Sequence, residues 1–367
     1  MQSSLSKSLK LTIFIAIVAF CTSAIAGKVD KKRSAQESRR SVALPGPSYA
    51  HRSDVLALAQ QIAESQQLDP AWVRRTLAQA NYLPSVAKAV VPPAIGINKN
   101  WRVYRSRFVE PIRIRAGVRF WNSHTQDLAR AQAETGVPME IIVGVIGVET
   151  IYGQHMGSYR VLDALATLAF DFPASHPRAS QRSAYFLSEL GQFLRLMVDS
   201  HTDPGSPLGS YAGAMGLPQF MPSSLRRYAV DFDADGRTDL HGSAADAIGS
   251  VANYLSLFGW VRDLPTHYPV TLDPASLDMT ALMAPDILPS FSAAEFQAKG
   301  AILDRDAAGH PGKLALIELQ NGTEAPSYVA GTENFYAITR YNWSSYYAMA
   351  VIELGQAVMR ARLQAAN

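Results

Sequence analysis

The sequence predicts a mainly α protein with one small β-rich subdomain. Apolar residues recur at helical spacing from residue 53 to about residue 261. Short β-type runs between Pro/Gly/Asp-rich turns are confined to 262–333, and helical patterning returns at the C-terminal end. With 367 residues, 48% hydrophobic and 18% charged, the chain is an ordinary globular one. It exceeds the roughly 150 residues of an average domain, so several subdomains are expected around a core that needs no disulfide or metal.

Lys7 and Lys10 precede an apolar run over 11–20, too short to span a membrane, and Ala24-Ile25-Ala26 follows. Charged start, short apolar stretch and small-x-small site make 1–26 a cleavable secretory signal, which directs the protein to the periplasm. Cys21 is the only cysteine, so cleavage leaves no thiol chemistry. Val18-Ala19-Phe20-Cys21 loosely resembles a lipid-attachment site, but Phe20 stands where a small residue belongs. A soluble mature form is therefore favoured over one anchored at Cys21. Residues 27–50 mix basic residues with Ser, Gln and Glu and end near Pro45-Gly46-Pro47, a disordered leader.

An N-terminal helical subdomain is expected over 51–137. Its first helix is capped by Ser53, a second covers 71–80 behind Pro70, a loop with Pro92 and Pro93 covers 89–97, and one long helix covers 118–135, ended by Gly136. The core follows over 138–261. Pro138 opens a helix apolar at almost every position from 141 to 148, which predicts burial on all sides. Further helices are expected at 162–170, 184–198 and 244–258. Strands are expected at 268–272 and 314–319 in the 262–333 subdomain. The segment 334–367 reads as a strand over 334–341 followed by a helix over 345–364.

The net charge of +3 falls to +1 once residues 1–26 are removed, which leaves no dominant basic face for a nucleic acid. No H-E-x-x-H, cysteine ligand set, G-x-x-x-x-G-K loop or assignable Ser-His-Asp set occurs, which argues against zinc catalysis, a phosphate loop or an organic cofactor.

Glu149 closes the apolar helix in Gly147-Val148-Glu149-Thr150-Ile151-Tyr152-Gly153. Burying a carboxylate raises its pKa, and a carboxylic acid still protonated near neutrality is what general-acid cleavage of a glycosidic bond requires. The alternative is a helix-end glutamate turned to solvent. The run 209–224, rich in small residues, offers a flat backbone floor with few polar side chains, among them Ser210 and Gln219; this suits a sugar groove or simply a turn into a helix. Asp231, Asp233 and Asp235, Gly236 at the sharp turn, the Arg237 carbonyl and Asp239 fit the first nine positions of an EF-hand Ca²⁺ loop. Position twelve is Gly242 rather than a bidentate glutamate, so a solvated acidic turn is the rival reading.

Residues 141–153, Leu162-Asp163-Ala164-Leu165-Ala166-Thr167-Leu168, residues 209–224, Asp246-Ala247-Ile248-Gly249-Ser250-Val251-Ala252-Asn253-Tyr254, Tyr341-Asn342 and Tyr346-Tyr347-Ala348-Met349-Ala350 together closely resemble the lytic murein transglycosylase B family. The likeness runs from about Trp101 to the C-terminal helix. It implies a lysozyme-like α-helical core, with an additional helical subdomain and the β-rich one, acting on peptidoglycan strands. It implies that Glu149 is the catalytic residue and that Ser210 and Gln219 bind the muramic residue. Tyr104, Tyr254, Tyr341 and Tyr347 carry over as groove aromatics with Phe220 beside them, although Tyr347 suits a core tyrosine better than Tyr341 does. Arg182 is a looser match to an arginine that meets a peptide or lactyl carboxylate, because 174–180 reads as an insertion. Asp246 is the implied late ligand of a structural Ca²⁺ loop spanning 231–246. The expected state is a monomer that cell-wall synthesis or hydrolysis complexes can recruit.

Hydrolysing glycosidases carry a second carboxylate. Here Asp163 suits a helix start and Glu189 a helix with apolar neighbours. The resemblance implies instead that one acid serves twice: it protonates the leaving oxygen, then deprotonates the muramic C6 hydroxyl to close a 1,6-anhydro ring, with Ser210 holding the acetamido group. A lysozyme-type hydrolase and a non-catalytic binding scaffold are the rivals.

Overall fold

The computed structural model describes residues 46–91 and 99–366. The expected signal at 1–26, most of the expected leader and most of the 89–97 loop lie outside the described residues. In chain order the helices are α1 (Ser53–Gln66), α2 (Pro70–Leu77), α3 (Pro84–Ala89), α4 (Trp101–Ser106), α5 (Pro111–Ser123), α6 (Thr125–Thr135), α7 (Met139–Thr150), α8 (Val161–Phe170), α9 (Ala179–Asp199), α10 (Pro222–Tyr228), α11 (Ala244–Leu257), α12 (Met279–Met283), α13 (Ala293–Ala298), α14 (Arg305–Ala308), α15 (Glu333–Tyr341) and α16 (Ser345–Ala366). The strands are β1 (Tyr159–Arg160), β2 (Leu208–Gly209), β3 (His267–Leu272), β4 (Ala301–Leu303), β5 (Ala315–Asn321) and β6 (Glu324–Gly331). The protein is mainly α, as its patterning predicts.

Three local expectations fail, each for a physical reason. The helix expected over 118–135 is two helices, α5 and α6, that break at His124, whose backbone (φ −123°, ψ 28°) leaves the helical well. Ser53 is the first helical residue and makes no cap bond; Arg52 precedes it and pairs with Asp54 and Asp171. The strand expected over 334–341 is the helix α15. Its alternating bulky residues favour a strand locally, but Thr332 caps a helix by accepting from Asn334 N at 3.1 Å. Asn334 itself is buried and donates through Nδ2 to the carbonyls of Val261 and Leu264, which fixes the start of α15. Tertiary contacts override intrinsic β-preference here.

The four-stranded antiparallel sheet has the order β4-β3-β6-β5. Along β5 the two-residue period splits its side chains between two cores. Ala315, Ile317 and Leu319 face the large helical cluster, while Leu314 just ahead of β5 and Leu316 join Phe296, Leu303 and Ala330 in the small one. β5 is thus the seam that fixes the sheet to the helices.

The helical part is built on two clusters. One gathers α1–α3 with α8, α9 and Ala214, Met215 and Met221; the other gathers α4–α7 with Leu217, Phe220, α11, α15 and α16. α7 is buried nearly all round, and α16 crosses it so closely that a Cβ on Gly144 would lie 2.2 Å from the Val351 carbonyl. On the opposing helix a Cβ on Gly355 would lie 2.0 Å from the Glu140 carbonyl, so each helix needs its glycine at the crossing. This crossing brings Glu149 on α7 against Tyr347 on α16.

Candidate active site

α7 ends abruptly just after Glu149. Ile151 (φ 51°) and Tyr152 (φ 57°) both take the left-handed conformation, which costs about 1–2 kcal/mol for each such residue. Three contacts hold that turn. The buried Thr150 hydroxyl donates to the Leu217 carbonyl at 2.9 Å and accepts from Gly153 N at 3.0 Å. Arg113 Nε donates to the Gly147 carbonyl at 2.8 Å. The Tyr152 ring lies beside Phe120, its hydroxyl where a Cβ on Gly117 or Gly147 would sit. Strain concentrated at one turn and held by buried neighbours is a mark of a functional position.

The Glu149 side chain points into aromatic surroundings. The Tyr347 hydroxyl, fully buried, donates to Glu149 Oε1 at 2.6 Å. Tyr341 stacks on Tyr347 at 6.2 Å, and Tyr104 and Tyr341 both lie close enough for the Glu149 charge to raise their pKa values, behind burial as the larger cause. The residue keeps some exposure at the surface, while its carboxyl lies within this shell. Burial pushes Glu149 up from 4.5 to about 7, against the opposing effect of the Tyr347 hydrogen bond. Among the described residues no second carboxylate and no cation contributes to this shift. Near neutral pH the group exists in comparable amounts as acid and as base, which suits one residue to both tasks.

The small-residue loop is sewn to the segment that follows Glu149. Gln219 Nε2 donates to the Met156 carbonyl at 3.1 Å and to the Gly216 carbonyl at 2.9 Å, with its backbone in the left-handed region (φ 52°). Met215 and Phe220 pair through both backbone N–H groups, which closes a tight turn around Gln219. Ser210 Oγ accepts from Ala214 N at 3.0 Å, and its backbone abuts Gly157. Phe220 packs against Tyr254 and Tyr341, and the Tyr341 hydroxyl donates to the Pro218 carbonyl. These contacts join Phe220 through Tyr341 to Tyr347 and so to Glu149, with Tyr104 also near the carboxyl, whereas the described contacts of Ser210 and Gln219 stay within the 209–220 loop and with Met156 and Gly157. Tyr254 belongs to the same block and is buried like Phe220, its hydroxyl donating to the Arg340 carbonyl at 2.6 Å. Arg182 lies on α9 over Phe186, near Tyr185 and Tyr211, and its buried Nε has no hydrogen bond among the described residues.

The two other carboxylates weighed from the sequence are structural. Asp163 accepts from Asn81 N and pairs with Arg160. Glu189 is buried and accepts from Ser223 N at 2.9 Å and Ser223 Oγ at 2.6 Å, holding the start of α10. Sequence reasoning did not single out Thr150, Tyr152 or Arg113. A threonine directly after the glutamate was the one visible signal, since a left-handed turn at Ile151 and Tyr152 leaves no mark in residue type.

In the acidic loop, Asp231, Asp233 and the buried Asp246 each offer an oxygen within 4.8 Å of the others. Asp246 accepts from Phe232 N and Asp239 N at 2.7 Å each, which wraps the loop around it. Gly236 (φ 88°) makes the turn, and the Ser243 hydroxyl holds Asp233 below the usual carboxylate range. Asp235 accepts from Arg237 N, outside the trio. Asp239 accepts from His241 N and Gly242 N through Oδ1 and lies outside the trio. The donors are all oxygen and fit a hard cation. The loop is also mechanically joined to the site: Leu217 N donates to the Leu240 carbonyl at 2.8 Å.

A helical core with an aromatic-enclosed glutamate defines a lysozyme-like, glycan-cleaving class of protein. Residues 50–356 match the family described as Transglycosylase SLT domain. The chain is 39% identical to the membrane-bound lytic murein transglycosylase B of Escherichia coli K12 over 344 residues, 89% of each chain. Solved structures of the Escherichia coli lytic transglycosylase Slt35 superpose on 87% of this chain and 97% of theirs. They have a TM-score of 0.76 at 40% identity in complex with bulgecin A, and 0.73 at 39% in complex with calcium. The chain belongs to the lytic murein transglycosylase B family, and it is a peptidoglycan lytic transglycosylase.

Proposed function

We propose that Glu149 alone carries the reaction, cutting the β-1,4 bond between N-acetylmuramic acid and N-acetylglucosamine. The supporting observation is a lone carboxyl with a pKa of about 7 on which no second carboxylate acts. In its acid form Glu149 gives its proton to the glycosidic oxygen, and the bond from that oxygen to the muramic C1 breaks. The positive charge left on the sugar faces the new Glu149 carboxylate, which the Tyr347 hydrogen bond stabilises. Glu149 then takes the proton of the C6 hydroxyl as that oxygen bonds to C1. The 1,6-anhydro ring closes, the acid is regenerated and no water is consumed. Attack from within the same sugar has the advantage of proximity. Ser210 and Gln219 position the muramic residue, Ser210 through its acetamido group, against a wall of Tyr104, Tyr341 and Phe220.

A Ca²⁺ ion held by Asp231, Asp233, Asp235, the Arg237 carbonyl and Asp246 would supply no chemistry at the bond. It would clamp the 231–246 loop and, through Leu240, the turn that carries Gln219. The membrane-bound relative and the signal-like N-terminus support a cell-envelope location, with the mature protein in the periplasm.

The deciding experiment is digestion of purified peptidoglycan in heavy-oxygen water, read by mass spectrometry. Anhydromuramoyl ends without heavy oxygen are expected. Reducing ends that carry it would replace this reading with hydrolysis by the same Glu149.

A further inference from the structure

A cavity of about 450 Å³ opens beside the candidate active site, between α4, the 343–346 turn that joins α15 to α16, and the edge of the β-rich subdomain at Asp286 and Ile287. It shares Tyr104 with the site: one side of that residue feels the Glu149 charge, and the other lines the cavity. Its volume falls within the range of sites that enclose a small organic ligand.

The chemistry of its wall is specific. Lys99 and Arg107 are exposed, and among the described residues neither has a carboxylate partner. The neighbouring arginines differ: Arg102 is paired to Glu324, and Arg105 to Glu353. Arg107 stands near enough to Tyr104 to act on its hydroxyl. Asp286 is the one acid among the lining residues, so the balance of the wall stays positive. Trp343 and Tyr104 supply aromatic surface, and Ser344 supplies a hydroxyl. Free cations beside aromatic rings suit an anionic, partly apolar ligand.

We propose that this cavity is an outer subsite that receives the carboxylate-bearing arm of a neighbouring muramoyl residue on the strand being cut. The inference rests on the peptidoglycan-cleaving reading above and extends it to a second recognition point. Arg107 lines this cavity and is distinct from Arg182 on α9, the residue that the resemblance pairs with such a carboxylate. The carboxylate has two sources, the stem peptide or the lactyl group that remains when the peptide is removed.

The test compares the full-length enzyme with Arg107→Ala and Lys99→Ala on three substrates: intact peptidoglycan, strands stripped of peptides by an amidase, and peptidoglycan with its carboxylates converted to neutral amides. Release of anhydromuramoyl ends by the unaltered enzyme establishes the underlying reading, independently of the cavity. On intact material or on stripped strands the variants should show a KM roughly tenfold higher with kcat changed less than about twofold, the size of one lost charge-assisted contact. A gap on intact material assigns the contact to the peptide, and a gap found only on stripped strands assigns it to the lactyl carboxylate, which the amidase frees. On amidated material the gap should vanish. Equal KM values on both intact peptidoglycan and stripped strands, or a gap that survives amidation, would overturn the subsite while leaving the catalytic reading in place.

Discussion

Glu149 and Asp246 are both carboxylates held inward on core helices, and both accept hydrogen bonds, yet their surroundings differ in every other respect. Glu149 has aromatic rings around it and, among the described residues, a single donor, the Tyr347 hydroxyl. Asp246 has backbone N–H groups from Phe232, Asp233 and Asp239 aimed at it, and two further carboxylates nearby. Apolar enclosure suits the first to giving a proton near neutrality, with a pKa of about 7. Converging oxygens suit the second to holding a cation. The residue type is nearly the same, so the environment decides the chemistry.

The largest expected effect breaks the first half of that comparison. Glu149→Gln keeps the shape and a hydrogen bond to Tyr347 but removes the transferable proton, so anhydromuramoyl release should fall by roughly 10²–10⁴-fold. A variant that retained full rate would end the single-acid reading. The same substitution should stabilise the fold at high pH. The Glu149 pKa is about 7 when folded and 4.5 ordinarily, so the folded chain resists ionisation that the unfolded chain undergoes. The native enzyme therefore loses stability as pH rises from 4.5 through about 7, by about 3–4 kcal/mol in full. Melting curves should place Glu149→Gln level with the native enzyme at pH 4 and above it at pH 8.

The second half is tested by the metal. Removing Ca²⁺ with a chelator should lower the melting temperature, and restoring it at about a hundred times its Kd should return about 2.7 kcal/mol, roughly 4 °C for a chain of this size. Asp246→Asn should abolish that Ca²⁺ response. A native enzyme whose melting is indifferent to Ca²⁺ would leave the loop a solvated turn. Because Leu240 accepts from Leu217 N, chelation should also weaken substrate binding through the Gln219 turn, seen as a higher KM.

The legibility of these features in the sequence follows how local their causes are. The apolar run of α7 and the Asp231-x-Asp233-x-Asp235-Gly236 pattern are local, and both were read directly from residue order. The run 209–224 marks Ser210 and Gln219 as its polar side chains, but their roles come only through resemblance, because the Gln219 amide is aimed by a turn closed by Met215 and Phe220. The segment 334–341 reads as a strand because its helix is fixed from afar, by Asn334 reaching back to Val261 and Leu264. Asp239 fits the loop spacing, and one oxygen of its carboxylate also caps the His241–Gly242 turn. The partnership of Glu149 with Tyr347 spans 198 residues and depends on the glycine-mediated crossing of α7 and α16, which no local pattern encodes.

Tyr347 gives the sharpest and smallest test of the comparison, because it is the one group that moderates the isolation of Glu149. Its hydrogen bond lowers the Glu149 pKa, in opposition to burial. Tyr347→Phe removes only that hydroxyl and leaves the ring stacked on Tyr341. With burial unopposed, the acid form of Glu149 should persist to higher pH, and the alkaline limb of the pH–rate profile should move upward by about one unit, as for loss of a single hydrogen bond to the charged form. The rate at pH 6 should fall about tenfold, since the carboxylate formed after proton transfer loses its only donor. These two changes run in opposite directions across the pH range, so packing damage cannot imitate them: a misfolded or loosened site lowers the rate at every pH and leaves the limb in place. A fall in rate with an unmoved limb would assign Tyr347 to the core alone, and the pKa of Glu149 to burial without moderation.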